Sequence, residues 1–404
     1  MYIYIHTRIL THMNNLTLLI DGNWLVQSRV WSMRKLFSRK SSSFRSTQSK
    51  RALIHQLCRS LTIQLQRFPE IDNIILIQDG KSWRKRLSSE YKNNRSGSSD
   101  DLDWDLIFET FHDFIIGCSK YGILVSHHDY AEGDDWIRIW KEYLNSNCTN
   151  CLIWSSDHDL HQLLGYWDNN ADSDHSWTIW YEHRSGLFLD PDLFHQVCSI
   201  TEKSDDVFDI LEGNVSNSPN LNLLGRILNH TDPQTIHYMN GDEVVLTKIL
   251  AGDKSDNILP IIRVQTTNRS ISFTRSNAVH LMKDLEISRI DDLMISEAQC
   301  EEIRDWISHH HKRLTPFIGP SFVPDLMNRL SLNKRLVWLD DEMMPDDVKI
   351  SLHKSLSDYS ILSPTKISEI RSGSNNFIRS IESCITEESS DPDSPESLFD
   401  TISK

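Results

Sequence analysis

The chain has 404 residues, 39% of them hydrophobic and 25% charged, enough for two domains with buried cores. It has no run of about 18 apolar residues, which excludes a membrane-spanning helix, and its start, MYIYIHTRILTHMNN, lacks the apolar stretch and cleavage site of a secretory leader. The net charge of −15 argues against a nucleic-acid partner only until its distribution is read: from Arg29 to Arg95 sixteen Lys and Arg face four acids, a local +12, leaving 26 basic and 53 acidic residues elsewhere.

In chain order, residues 1–12 read as a loose N-terminal extension, with Met13 a second candidate start. LTLLID (16–21), NIILIQD (73–79), GILVSH (122–127) and CLIWSS (151–156) read as buried strands. Between them the periodicity predicts helices over 49–68, 103–120 and 133–146. Residues 32–50 and 81–101 are Ser-rich and basic with little periodicity, as expected of segments that order on a ligand. Residues 176–189 predict a β-hairpin with Arg184, Ser185 and Gly186 at its turn. The alternation predicts an α/β fold, a mostly parallel central sheet flanked by helices over residues 13–200. A smaller, mainly helical domain follows over 201–384, and an acidic tail over 385–404.

Seven cysteines without a regular framework fit a reducing, cytoplasmic setting. Cys148 and Cys151 form a lone CxxC, read as small residues beside a strand rather than a zinc site, and His309, His310 and His311 read as a solvated helix face.

Nine carboxylates carry the chemistry. They fall in LLIDG (Asp21), LIQDG (Asp79), EGDD (Glu132, Asp134, Asp135), SDHD (Asp157, Asp159) and GDKSD (Asp253, Asp256). Asp21, Asp79 and Asp157 follow strands, and in a parallel sheet functional groups gather beyond the strands' carboxyl ends. Adjacent carboxylates resist ionising together unless cations neutralise them. An all-oxygen donor set points to Mg²⁺, with Mn²⁺ as its substitute, rather than Zn²⁺. Asp157 and Asp159 are expected to alternate along an extended backbone and face one ion together, while Glu132 and Asp135 share one face where a helix starts. Taken singly, each acid reads as a helix cap or turn residue; five clusters together favour metal. Two ions about 4 Å apart would suit phosphodiester hydrolysis. No P-loop is present, which argues against an ATP-driven motor.

LLIDGN, QDG followed by EYKNNR, AEGDD, SSDHDL and LAGDKSDNI resemble, in order and spacing, the motifs of the 5′ nuclease (flap endonuclease) superfamily, with the closest likeness to its phage ribonuclease H branch. NRLSLNKRLVWLDDEMMPDDV (328–348) extends the likeness, which spans roughly residues 15–380. The resemblance implies Mg²⁺-dependent 5′→3′ hydrolysis of RNA–DNA hybrids, nicked duplexes and 5′ flaps, with RNA-primer removal in phage DNA replication as the task. It implies that Asp21, Asp79, Glu132, Asp134, Asp157 and Asp159 bind two ions, with Asp135, Asp253 and Asp256 as the remaining acids. Lys81, Arg84, Tyr91, Lys92 and Arg95 resemble the basic helical arch over 81–101 that gates the 5′ strand; Arg84, Lys92 and Asp157 are the catalytic candidates, and the choice among Arg84, Lys85 and Arg86 stays open. Arg suits phosphate through paired contacts, and Tyr91 or Trp83 could stack on an unpaired base; a solvated basic loop is the competing reading for each. After GDKSDN the run ILPIIRVQTTNRSISFTRSNA lacks the Gly-rich hairpin with which cellular relatives grip duplex DNA and K⁺, which leaves a K⁺ site an open question. Duplex binding would fall to Lys254, Arg263, Arg269 and Arg275.

Leu398 and Phe399 in the acidic tail weakly resemble a sliding-clamp docking peptide, although a solubilising tail is the preferred reading. The partners expected are DNA and RNA–DNA hybrid, with single-strand-binding protein and sliding clamp considered, and the protein is expected to be monomeric. Two rival readings remain: a PIN-like ribonuclease, disfavoured by length and by GDKSDN, and an inactive DNA-junction binder, disfavoured by the complete acid set.

Overall fold

A computed structural model describes residues 16–38, 47–95, 101–167, 176–193, 219–265, 270–359, 366–373 and 375–387. Met13, Arg269, Leu398 and Phe399 lie outside them, as does the side chain of Arg95. The chain divides into two units, one comprising Met1–Lys81, Asp101–Met239 and Ser351–Lys404, the other Ser82–Asp100 and Asn240–Ile350. This interleaved division differs from the consecutive domains expected from the sequence, with a boundary near residue 200.

The first unit is built on a sheet ordered β3-β2-β1-β4-β6-β7-β8, with β5 paired to β6. The strands are β1 (Leu16–Asp21), β2 (Asn73–Ile77), β3 (Leu124–Ser126), β4 (Asn150–Trp154), β5 (Gly165–Trp167), β6 (Ser176–Glu182), β7 (Gly186–Leu189) and β8 (Ile236–Tyr238). The pairs β1–β2, β1–β4, β2–β3, β4–β6 and β7–β8 are parallel. β5–β6 and the expected hairpin β6–β7 are antiparallel. Leu16–Ile20 and Asn150–Trp154 are wholly buried, which accounts for their unbroken apolar runs: central parallel strands are covered on both faces.

The flanking helices are α1 (Gly22–Ser32), α2 (Thr47–Arg67), α3 (Trp104–Lys120), α4 (Gly133–Ser146) and α5 (Pro219–Asn229). α3 starts at Asp103, whose side chain accepts the Leu106 N–H, and buries Ile107, Phe111 and Phe114 at helical spacing. Strand β8 extends the sheet well past residue 200. Near the C-terminus α11 (Ile367–Arg371) and α12 (Asn375–Glu387) also return to this unit. Ile370, Phe377 and Ile381 join the same core cluster as Leu16, Leu57 and Phe114, and Gly117 leaves room for Ile381, whose nearest atom would lie 2.7 Å from an added Cβ.

The second unit is mainly helical, as expected: α6 (Gly241–Ala251), α7 (Arg275–Asp284), α8 (Glu297–His310) and α9 (Phe322–Val337) surround a core of Leu246, Leu250, Leu281, Ile303 and Leu330. Between α6 and α7 the chain forms a short antiparallel pair, β9 (Arg263–Gln265) and β10 (Ser270–Ser272). The helix α10 (Asp346–Asp358) follows α9. Among the described residues no helix is long and apolar enough to cross a membrane.

Candidate metal centre

The register fixes which side chains meet. Asp21 ends β1 opposite Ile77 of β2, and Ile20 pairs with Trp154 of β4. The strands are parallel and neighbours lie about 4.8 Å apart. Asp21, Asp79 and the Ser155–Asp157 turn therefore emerge at one edge of the sheet. Asp21 caps α1, its Oδ1 accepting the Trp24 N–H at 2.9 Å, while its Oδ2 accepts the Ser155 hydroxyl at 2.8 Å. Burial first, and the Asp79 carboxylate second, push Asp21 up to about 7; the Trp24 and Ser155 donors oppose this, and Asp157 adds to it. Asp79 and Asp157 at the same edge thus disfavour the ionisation of Asp21, the electrostatic condition that a divalent cation relieves.

Asp79 lies two residues beyond β2. Its Oδ2 accepts Asn23 Nδ2 at 2.8 Å and its Oδ1 accepts the Gly133 N–H at 2.6 Å. The carboxylate therefore sits on the positive end of α4, where helix N–H groups lack internal partners. A Cβ on Gly133 would lie 2.6 Å from Asp79 Oδ1, so the close approach needs glycine. Gly80 N–H donates to Ala131 O and Lys81 N–H to Asp129 O, and a Cβ on Gly80 would meet His128 O at 1.8 Å. This zipper ties the Asp79 loop to the loop that carries Glu132. Lys81 is exposed at its end.

Glu132 is the N-cap of α4 and is buried; Asp135 is fully buried, its Oδ2 accepting the Glu132 N–H at 3.0 Å. Asp135 thus secures the start of the helix, and Asp134 lies half-buried between the two. Asp157 and Asp159 do not alternate along an extended strand as expected. Asp157 caps a 3-10 turn over His158–Leu163, its Oδ1 accepting the Asp159 N–H at 3.0 Å.

Among the described residues no group of three or more His, Cys, Asp or Glu side chains is arranged to hold a metal ion. The oxygens of Asp21 and Asp79 and one of Asp157 are instead taken by protein donors. The donor chemistry nonetheless fits a hard cation: the acids offer oxygen alone, and Asp21, Asp79 and Asp157 couple electrostatically. Ligation would exchange some of these hydrogen bonds for metal contacts.

Residues 16–179 match the family model described as the 5′–3′ exonuclease, N-terminal resolvase-like domain. The match covers the stretch that carries Asp21, Asp79, Glu132, Asp134, Asp135, Asp157 and Asp159. Among solved structures, the D15 protein of bacteriophage T5 co-crystallised with metal ions is 13% identical, with 85% of this chain and 98% of that chain covered and a TM-score of 0.48. A D15 flap endonuclease variant in a pseudo-enzyme–product complex with DNA and metal ions is 14% identical, covering 88% and 99%, at 0.48. The catalytic core of Rad2 in complex with DNA substrate is 12% identical, covering 87% and 90%, at 0.35. No curated protein matches the chain.

The second unit holds the other candidates. Arg84 is not an exposed phosphate clamp: it is buried, stacks on Trp83 with 4.4 Å from guanidinium to ring centroid, and donates from Nε to Leu336 O at 3.0 Å. Trp83 and Tyr91 are buried as well and cannot offer an open face to a base. The Tyr91 hydroxyl donates to Asp256 Oδ2 at 3.2 Å, and Lys92 Nζ lies 3.8 Å from the same oxygen. Lys92 has a left-handed backbone, φ 55°, held by its N–H to Asp256 O at 2.9 Å.

Asp253 pairs with Lys248 at 2.6 Å. Burial would raise its pKa, but the Lys248 ammonium and Ser255 donors outweigh that and hold it below the usual carboxylate range. Asp253 thus faces the Lys248 ammonium, and Asp256 faces Lys92 and the Tyr91 hydroxyl. They organise the 253–258 loop, which Asn94 and Asn257 stitch to residues 90–94 through Lys254 O and Glu90 O. Lys85, Arg86, Lys254, Arg263 and Arg275 are exposed, and Arg86 pairs with Asp347 at 2.7 Å.

The sequence reading missed Asn23, Ser155 and Gly133. Their only signal was position: each lies within two residues of a motif acid.

Proposed function

We propose that this protein is a Mg²⁺-dependent 5′→3′ nuclease and flap endonuclease that hydrolyses phosphodiesters in RNA–DNA hybrids, nicked duplexes and 5′ flaps. RNA-primer removal during phage DNA replication, in the host cytoplasm, is its proposed task. The observation that carries the reading is the convergence of Asp21, Asp79 and Asp157 at the carboxyl edge of adjacent parallel strands, within a 5′–3′ exonuclease domain. Asp21, Asp79, Glu132, Asp134, Asp157 and Asp159 would hold two ions, and Asp135 would fix the helix start that carries two of them. When bound, the ions would supply an activated water and charge stabilisation at the phosphate. Asn23 and the Gly133 N–H hold Asp79 in place, and the Ser155 hydroxyl and Trp24 N–H hold Asp21. Lys81, Lys85 and Lys254 are exposed cations suited to backbone phosphates, where contacts are electrostatic and salt-dependent.

The test is product-length analysis on 5′-labelled flap, nicked and hybrid substrates, with Mg²⁺, with Mn²⁺ and with EDTA. Cleavage should need the cation and fall at least 10²-fold in Asp157→Asn. Absence of cleavage in Mg²⁺, or a fully active Asp157→Asn protein, overturns the reading. A junction-binding protein without catalysis is the second reading, favoured by the protein hydrogen bonds that occupy the carboxylates. It requires a Mg²⁺-independent gel shift with no cleavage.

A further inference from the structure

Ser155 is fully buried directly after β4, and its hydroxyl has two partners of opposite kind. The Asp157 N–H lies 3.0 Å from Oγ and can only donate. The single hydroxyl proton is therefore committed to Asp21 Oδ2 at 2.8 Å, because a carboxylate can only accept. One small side chain thus joins the acid that ends β1 to the backbone that presents the acid after β4. Asp21 Oδ1 is already fixed by the Trp24 N–H, so Ser155 sets the remaining rotation of that carboxylate. Main-chain pairing of β4 ends at Trp154, so between the strand end and the turn Ser155 supplies a side-chain tie to Asp157.

We infer that Ser155 is a positioning residue that orients the Asp21 and Asp157 carboxylates toward a shared divalent cation, an inference that rests on the metal-dependent reading above. It touches neither substrate nor reacting atoms and acts through the two acids. Outer-shell partners of this sort typically contribute 10–100-fold in metal affinity or activity. Alanine removes the proton aimed at Asp21 and the acceptor for Asp157 together. Threonine keeps both.

The experiment uses the full-length protein and Mn²⁺ as probe, with binding followed by titration calorimetry and folding checked by circular dichroism and melting. Ser155→Ala should weaken Mn²⁺ binding by about 10–100-fold, with flap cleavage falling in parallel, and Ser155→Thr should recover most of both. If Ser155→Ala does not fold, Ser155→Cys, a similar shape with a weak donor, takes its place. A lowered melting temperature with unchanged Mn²⁺ affinity would show a merely structural hydroxyl and overturn the inference. Wild-type protein that binds no Mn²⁺ would overturn the metal reading itself, which separates the two failures.

Discussion

Gly133→Ala separates the stability of this fold from its chemistry. The new Cβ would lie 2.6 Å from Asp79 Oδ1, whereas an ordinary carbon–oxygen contact needs more than 3 Å. The next contact, Ile77 Cγ2, is comfortable at 3.6 Å, so the clash falls on the carboxylate alone. Asp79 can escape by rotating, but it then gives up the Gly133 N–H and Asn23. Those bonds contribute about 1 kcal/mol each. Alanine returns up to about 1 kcal/mol of helix propensity, so net destabilisation should stay within about 1–2 kcal/mol. Displacing a carboxylate proposed to hold a metal by about 1 Å is a different matter and can cost about 10²-fold in rate. The assays are denaturant unfolding in EDTA beside flap cleavage in Mg²⁺. A near-wild-type midpoint with about 10²-fold slower cleavage is expected. Cleavage within a few-fold of wild type would refute the view that Asp79 must sit on the start of α4.

Three further outcomes follow from the same geometry. Arg84→Ala should destabilise by about 2–4 kcal/mol, since it strips a buried guanidinium from Trp83 and Leu336 O; Arg86→Ala, which removes an exposed pair with Asp347, should cost under about 1 kcal/mol in the same denaturation assay. Tyr91→Phe should cost about 1 kcal/mol through the lost bond to Asp256, and melting checks it. His161 is fully buried against Trp180 with no hydrogen-bond partner on either ring nitrogen. Burial first, then His158, lowers its pKa to about 4. The folded state therefore binds the proton less readily than the unfolded chain, so the stability this neutral ring contributes is complete above about pH 6.5 and is lost as the pH falls toward 4. That loss amounts to about 3 kcal/mol. His161→Phe should flatten the slope of unfolding free energy against pH in that window, and an unchanged slope would contradict it.

The features legible in the sequence were those fixed by local periodicity. Leu16–Asp21 and Gly133–Ser146 have the bounds read from pattern alone, because a fully apolar run and a helix opening at an acid-rich cap leave little choice. Strand-end placement likewise put Asp21, Asp79 and Asp157 at one edge before any coordinates. The missing information was long-range. Nothing near Ile236–Tyr238 or Phe377 announces that these residues join a sheet and core begun at Leu16. The arch residues misled for a related reason: basic and aromatic side chains suit nucleic acid and buried packing equally well, and only tertiary contacts show that Arg84, Trp83 and Tyr91 face inward. The cations beside Asp253 and Asp256, Lys248 and Lys92, likewise do not stand out as partners in a linear motif.

The return of α12 to the first unit bears on how the protein is made. Phe377 and Ile381, which complete the core cluster of Leu16, leave the ribosome more than 350 residues after it. The entire second unit is synthesised in between. Nascent domains ordinarily close one after another; here the first unit waits with part of the apolar surface of α2 and α3 uncovered. A chain released before Phe377 would lack that cover, so ribosome-stalled fragments should be protease-sensitive in the sheet unit while the completed protein resists.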